Sequence, residues 1–599
     1  MKSCVNVAAA ILLAASLVTV NAQTSGSSKQ LKKHAPATKT AKPTTSSLEE
    51  QIQALRNEMQ SQIDSLKQNL AAKDAQLQKA QQDAAEARSA ASKAETDAQV
   101  QQTAVTENNS AVSTLQSTVS DLKTNQASLA TTVSDETTKM KKAIFTPDAI
   151  HFKGALISFT GSFIAAETVN RTTATGGGLN TAFTGIPLQN SDAYQMSEFQ
   201  GTGRQSRLAI KGTSKLPNWV FAGYYEADWL GTGITSNNNQ SNSYVLRQRQ
   251  MWADARMNSG WDFSGGQGWS LAAETTQGLT RGSEILPATI DPQYEAGFVW
   301  TRQYSFRVSK NIGRSLFLGA SAENAEILNP AGQNLPGNFV FGSTGTGGGL
   351  YNPTANYSFN YSPDFVVKMA LEPGWGHWEL FGLERNFRDR IYPTSGTPYN
   401  DRKTGAGIGG GFRGPLFDRK VTVGLKGLWG QGVGRYGSST IADVTIRPDG
   451  TFSPLHGFSA LSTVELNPTP RLNVYFNYGG DYIGRDWMLN SKGQEVGYGT
   501  YTANMSGCMT ETNTSSAGAS GGAQIAPAGC TANNKDVQEF TAGYWFNIHD
   551  SAAGRLRQGI QYSWIRRDLW SGNGGVNNPD GGAHGDDNMI FTSFRYYLP

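Results

Sequence analysis

Two hydrophobic periods divide the chain. From Leu48 to Lys142 apolar residues recur at alternating spacings of three and four. The run passes through Ile63, Leu66, Leu70, Leu77, Ala80, Ala84, Ala87, Ala91, Ala94, Ala98, Val105, Val112, Leu115, Val119, Leu122, Leu129, Val133 and Met140. A sustained heptad of this kind, without Gly or Pro, predicts a helical coiled coil. Leu48, Ile52, Leu55 and Met59 obey the same rule and step by four into Ile63, which is a stutter. After Pro147 the period becomes two. In Arg471–Asp486, Leu472, Val474, Phe476 and Tyr478 alternate with Arg471, Asn473, Tyr475, Asn477 and Gly479. A strand sends successive side chains to opposite faces, so one face here is apolar and aromatic and the other polar.

Sixteen such segments follow one another. They are His151–Glu167, Gly203–Thr213, Trp219–Leu230, Ser243–Met257, Gln267–Thr276, Phe298–Ile312, Arg314–Ile327, Thr354–Leu371, Trp375–Arg388, Arg402–Arg413, Arg419–Gln431, His456–Leu466, Arg471–Arg485, Asp536–His549, Arg555–Trp570 and Asp587–Leu598. Short connections such as Glu372-Pro373-Gly374 and Asn467-Pro468-Thr469-Pro470 alternate with long ones such as Thr168–Thr202 and Asp486–Lys535. Short turns on one side and long loops on the other mark an outer-membrane barrel. An even number of strands lets the first pair with the last and leaves no open edge. The expected fold class is therefore an all-β transmembrane barrel of sixteen antiparallel strands preceded by an α-helical coiled coil. A soluble β-sandwich array or stalk is the rival. It would not favour outward aromatics near strand ends, expected here at Trp252, Trp429, Tyr562, Trp564 and Tyr596.

Ahead of the coiled coil, Met1–Ala22 reads as a secretory signal: Lys2, an apolar stretch from Val7 to Val20, and small residues before a cleavage site at Ala22. Residues 23–47 carry five lysines and no acid and form a basic linker. The layout is thus 1–22 signal, 23–47 linker, 48–142 coiled coil in the periplasm, 143–150 linker and 151–599 barrel. Export predicts the outer membrane of a Gram-negative-type bacterium. The lysine-rich linker is a solvated leader or a contact to peptidoglycan.

Composition changes this picture little. Mean hydropathy is -0.42, yet barrel strands are half polar and escape hydropathy. The net charge of +3 makes no electrostatic case for nucleic acid. Cys508 and Cys530 share one Gly/Ser/Thr-rich stretch, where a disulfide or two free thiols remain open readings. No catalytic constellation emerges. Gly518-Ala519-Ser520-Gly521-Gly522 matches a nucleophile-elbow pattern, but no helix follows it. The six histidines are scattered, so neither a metal nor another cofactor is expected.

Signal, coiled coil and sixteen-stranded barrel together resemble the DcaP-like trimeric outer-membrane porins, near the phosphate-selective group. Gly203-Arg204-Gln205-Ser206-Arg207-Leu208, Tyr244-Val245-Leu246-Arg247-Gln248-Arg249-Gln250 and the tail Phe594-Arg595-Tyr596-Tyr597-Leu598-Pro599 carry the resemblance. The tail departs from the commoner ending on the aromatic itself. The resemblance implies a homotrimer in outer-membrane lipid that passes small anionic or neutral solutes. The Val/Leu seam alone leans towards two strands, and the symmetry of a barrel trimer would override it. Alternation nominates Arg207, Lys211, Arg247, Arg249, Arg307, Lys426, Arg471 and Arg557 as lumen-facing cations, suited to dicarboxylate or phosphate. The competing reading pairs each with a wall acid such as Glu226 or Asp254. From Ala143 onward 35 Lys+Arg meet 35 Asp+Glu, so any selectivity must come from clustering. The resemblance further suggests that the third long loop, Gln277–Ala296, folds inward, with Arg281, Glu284, Asp291 and Glu295 at a constriction. An ordinary outer loop is the alternative. A structural tether to the cell wall, or an adhesin anchored by its barrel, is the other functional reading.

Overall fold

The computed structural model describes residues 149–599 except 182, 232–235, 237–240, 343–357, 512–528 and 575–581. It also describes residues 110, 112–123, 126 and 128. The expected signal, the basic linker and most of the expected coiled coil lie outside the described residues. Residues 112–123 are helical, and Val112, Leu115, Val119 and Leu122 of the heptad seam are exposed in this single chain. They belong to a compact unit separate from the one that holds the barrel.

Sixteen antiparallel strands form the barrel wall. In order they are Phe163–Arg171, Arg207–Lys215, Trp219–Gly231, Val245–Met257, Trp261–Trp269, Arg302–Ile312, Leu316–Glu323 and Asp364–Leu371. The second half runs His377–Ile391, Tyr399–Leu416, Val421–Gln431, His456–Thr469, Leu472–Ile483, Asn534–Ser551, Gly554–Leu569 and His584–Tyr597. Each pairs with the next, and the last pairs with the first from Phe163↔Tyr597 to Arg171↔Met589. Closure removes the edges an open sheet would expose. Glu198–Thr202 adds an upper segment that pairs with the first strand.

The two-sided reading of the thirteenth strand holds. Phe476 and Tyr478 are exposed, while Tyr475, Asn477 and Asp481 are buried inside. Around the wall Ile164, Tyr304, Phe306, Val367, Leu380, Ile408, Leu425, Trp429 and Ile590 form the outer apolar surface. That is the face a barrel turns to lipid.

Three departures have local causes. The expected first strand is broken: Ala149–Phe152 and Ala155–Ser158 form a hairpin, because Lys153 and Gly154 both take positive φ, 52° and 108°. The fifth strand lies earlier than expected, at Trp261–Trp269, since the turn at Asn258–Gly260 is short and residues 270–301 leave the wall. Trp252 faces inward rather than outward. Glu226 pairs with Gln250 but Ala227 with Gln248, so Arg249 is an extra residue in the fourth strand. This β-bulge reverses the alternation, placing Arg247 and Arg249 inside above it and Gln250, Trp252 and Asp254 inside below it.

Seven connections are short and lie at one end, among them Ser551–Gly554 and Leu416–Val421. Long connections crowd the other end. They carry hairpins Val444–Ile446/Phe452–Pro454 and Asp486–Leu489/Glu495–Tyr498. Leu188, Met505, Cys508, Leu569 and Ala583 pack together there, and Cys508 is disulfide-bonded to Cys530 with Cα atoms 4.7 Å apart.

Candidate functional site

The segment between the fifth and sixth strands, residues 270–301, folds into the barrel and crosses its lumen. It is hung from the wall mainly through its own backbone. Wall carboxylates and amides accept its N–H groups: Leu271 to Glu323 (2.9 Å), Thr275 to Glu379 (2.8 Å), Ile290 to Gln561 (2.6 Å), Ala296 to Glu539 (2.9 Å) and Gly297 to Asp481 (3.1 Å). Wall donors take its carbonyls: Lys368 to Ala273 (2.7 Å), Arg307 to Leu279 (3.2 Å), Trp545 Nε1 to Ala288 (2.8 Å), and Arg595 to Ile290. Buried backbone groups must find partners, and here the polar lumen supplies them. Gly297 is fixed by contact as well as by its φ of 82°, because a Cβ would stand 2.0 Å from the Ala460 carbonyl oxygen.

The four charged residues of Gln277–Ala296 all point away from open space. Arg281 is buried and donates to Ser264 and Ser305; burial and neighbouring Arg307 push its pKa down to about 10. Glu284 pairs with Arg307 at 3.0 Å. Burial pushes the Asp291 carboxyl up to about 7, although Gln561 donates to it at 3.0 Å. Glu295 is fully buried, and its carboxyl is raised well above the ordinary range by burial and by Glu539 and Asp291 nearby.

The nominated wall cations divide into two groups. Arg249 is buried between Glu226 (2.6 Å) and Asp228 (2.8 Å) and donates to Gln293 of the loop at 2.8 Å. Arg247 pairs with Asp228 at 2.9 Å, Arg207 with Glu226 at 3.5 Å and Lys426 with Glu379 at 2.5 Å. Lys211 is half-buried on the second strand, near Asp254. These, with Arg307, follow the bracing pattern: each has a carboxylate for company.

Arg471 and Arg557 differ. With Arg555 and Arg595 they line a cavity of about 410 Å³ at the short-turn end, beneath the loop. Pro287, Ala288, Thr289 and Pro292 form its loop side, with Trp545 and Tyr597 on the wall. Among the described residues the loop presents no acid to it, and Glu465 is the one carboxylate in the lining, where Arg413 takes it at 2.9 Å. Arg595 is matched by Glu167 at 2.7 Å. Arg471, Arg555 and Arg557 have no ion pair among the described residues. Arg555 stacks over Tyr597 (4.6 Å) and Arg557 over Trp545 (4.8 Å), which holds the guanidinium planes without neutralising them. Arg555 and Arg595 were absent from the sequence-derived set. Alternation was the available signal, since Arg555 shares a face with Arg557, and Arg595 lies between outward Phe594 and Tyr596.

A closed barrel of sixteen antiparallel strands with a loop folded into its lumen is the fold of outer-membrane porins. No protein-family model and no curated protein matches the chain. Among solved structures, the outer-membrane channel DcaP of Acinetobacter baumannii is similar in fold. The TM-score is 0.50 at 14% sequence identity, over 75% of this chain and 99% of that one. The anion-selective porin from Comamonas acidovorans aligns at TM-score 0.36 and 10% identity, over 74% of this chain and 100% of that one. Salmonella typhi OmpF in complex with daunomycin aligns at 0.37 and 8%, over 75% and 99%. The resemblance read from the sequence stands at the level of fold.

Proposed function

We propose that the chain is an outer-membrane porin through which small hydrophilic solutes diffuse passively, with a preference for anions such as dicarboxylates or phosphate. The observation that carries the preference is the trio Arg471, Arg555 and Arg557, three guanidinium groups without carboxylate partners among the described residues, in a cavity faced by an uncharged stretch of loop. Arginine remains protonated and offers a fixed fork to carboxylate and phosphate. Charge of one sign in a water-filled, low-dielectric-walled passage concentrates the opposite ion.

The rest of the reading follows from the barrel. Short turns face the periplasm in such proteins, so the arginine cavity is the inner vestibule and the packed long loops form the outer mouth. Residues 48–142 would then reach into the periplasm as a coiled coil. The exposed seam at Val112, Leu115, Val119 and Leu122 supports self-association, and a homotrimer is the assembly we propose.

The test is the zero-current potential of purified protein in a planar bilayer under a salt gradient. Anion preference that falls when Arg555 and Arg557 are replaced by alanine supports the proposal. Equal permeability to cations and anions at low salt would overturn the preference, and absence of channels would overturn the porin reading.

A further inference from the structure

One cluster inside the barrel plays no part in the anion proposal. Glu295 of the inward loop and Glu539 of the fourteenth strand are buried to 0% and 1% exposure, and neither is ion-paired among the described residues. Neither Glu295 oxygen makes a hydrogen bond of normal geometry, and the neighbouring Asn477 amide is likewise unmatched on both atoms. Glu539 meanwhile accepts the Ala296 N–H at 2.9 Å and the Thr541 hydroxyl at 3.2 Å. The two carboxyl groups thus lie near one another where the loop is hung from the wall, Glu295 one residue from the attachment at Ala296.

The surroundings hold few cations to balance them. Asp291 lies nearby on the loop. The thirteenth strand contributes Asp481 and Tyr475, with Asp481 occupied by Gly297 N–H and Ser439. From the first strand come Glu167 and Arg171, near Asp291. Arg171 is held by Glu198 at 2.9 Å, and Arg595 of the last strand by Glu167. The fifteenth strand presents Gln561 and Ser563 here, with Arg557 beyond Tyr475. Among the described residues, no arginine or lysine is therefore in place to neutralise two ionised glutamates. Buried charges without partners cost several kcal/mol or more, and adjacent carboxyls in such a place resolve the conflict by keeping a proton.

We propose that the Glu295 and Glu539 pair retains a proton at neutral pH and forms a latch that helps hold the loop across the lumen, released when the proton leaves as pH rises. The departing proton goes to lumen water, and two carboxylates then repel across the contact that joins loop to wall. The latch is a conformational device distinct from ion selection, and it reads out without any conduction.

Infrared difference spectroscopy of the folded full-length protein tests it. A protonated carboxyl band is expected to persist at neutral pH, to disappear reversibly in alkaline buffer, and to weaken in both Glu295→Gln and Glu539→Gln. Either glutamine keeps the shape and a hydrogen-bonding group without the charge. Both variants are therefore expected to hold the loop at alkaline pH, where wild type becomes open to protease within residues 277–296. Absence of the band at neutral pH overturns the proposal. So does alkaline cleavage of Glu295→Gln equal to that of wild type. Because these readouts do not require channels, they stand or fall separately from the porin reading.

Discussion

Removing Arg555 and Arg557 together is the sharpest test of the arginine vestibule. A sphere of the cavity's 410 Å³ has a radius of about 4.6 Å, and adding the guanidinium group puts each charge ~7 Å from a central anion. At the dielectric constant of water one such charge attracts the anion by about 0.6 kcal/mol. Two then contribute about 1.2 kcal/mol, or roughly sevenfold in local anion concentration. The low-dielectric protein wall raises this figure and mobile salt lowers it, the latter by about half at a Debye length of ~10 Å. The assay is the reversal potential of Arg555→Ala/Arg557→Ala against wild type. It should be run at about 0.1 M salt, where the Debye length of ~10 Å exceeds the cavity, and repeated at about 1 M, where ~3 Å falls short of it. The expected result is a several-fold drop in the anion-to-cation permeability ratio at low salt and little difference at high salt. Unchanged selectivity at low salt in a variant that still forms channels would refute the reasoning. It would place the selective charge elsewhere, with the ion-paired group around Arg249 as the next candidate.

Other outcomes follow from single contacts. Arg385 joins Asp364 (3.1 Å) and Asp443 (2.5 Å), so Arg385→Met strands two buried carboxylates; a loss of about 3–5 kcal/mol should appear as a lower unfolding temperature. Gly409→Ala would set a Cβ 2.2 Å from the Phe381 ring, costing about 1–3 kcal/mol in the same assay, whereas Gly382→Ala meets nothing closer than 3.5 Å and should be near neutral. Opening the Cys508–Cys530 bridge with Cys508→Ser should speed proteolysis between Asp486 and Lys535 while the barrel stays folded. Asp291 has its pKa raised, so its linkage favours the fold below the ordinary carboxyl range near pH 4 and is lost as pH climbs through about 7. Asp291→Asn should therefore be more stable than wild type above pH 7 and lose that advantage in acid, as measured by denaturant unfolding across pH.

Period-two alternation carried most of the barrel, because in a wall one residue thick each side chain has only two environments to choose between. Thus Phe476 and Tyr478 could be assigned outward and Asn477 inward from Arg471–Asp486 alone, and the strand count followed from repetition. The heptad at residues 48–142 is equally local, although most of it lies beyond the described residues. What alternation could not convey was any interruption of itself. Arg249 looks like any other residue of its strand, and only its pairing partners expose the bulge that turned Trp252 inward. The course of residues 270–301 was likewise hidden. Their attachments run through backbone N–H and C=O groups, which every sequence possesses, to acceptors as much as 271 positions away. Pairing of charge was hidden for the same reason. Arg249 and Arg557 are the same residue type on the same face of similar strands, yet one meets Glu226 and Asp228 and the other meets a ring. The sequence by itself determined which side chains face the lumen wherever the alternation runs unbroken. Which of those charges are left unbalanced there depended on strands and a loop that meet only once the barrel has closed, because Coulomb interactions are set by distance in space rather than by distance along the chain.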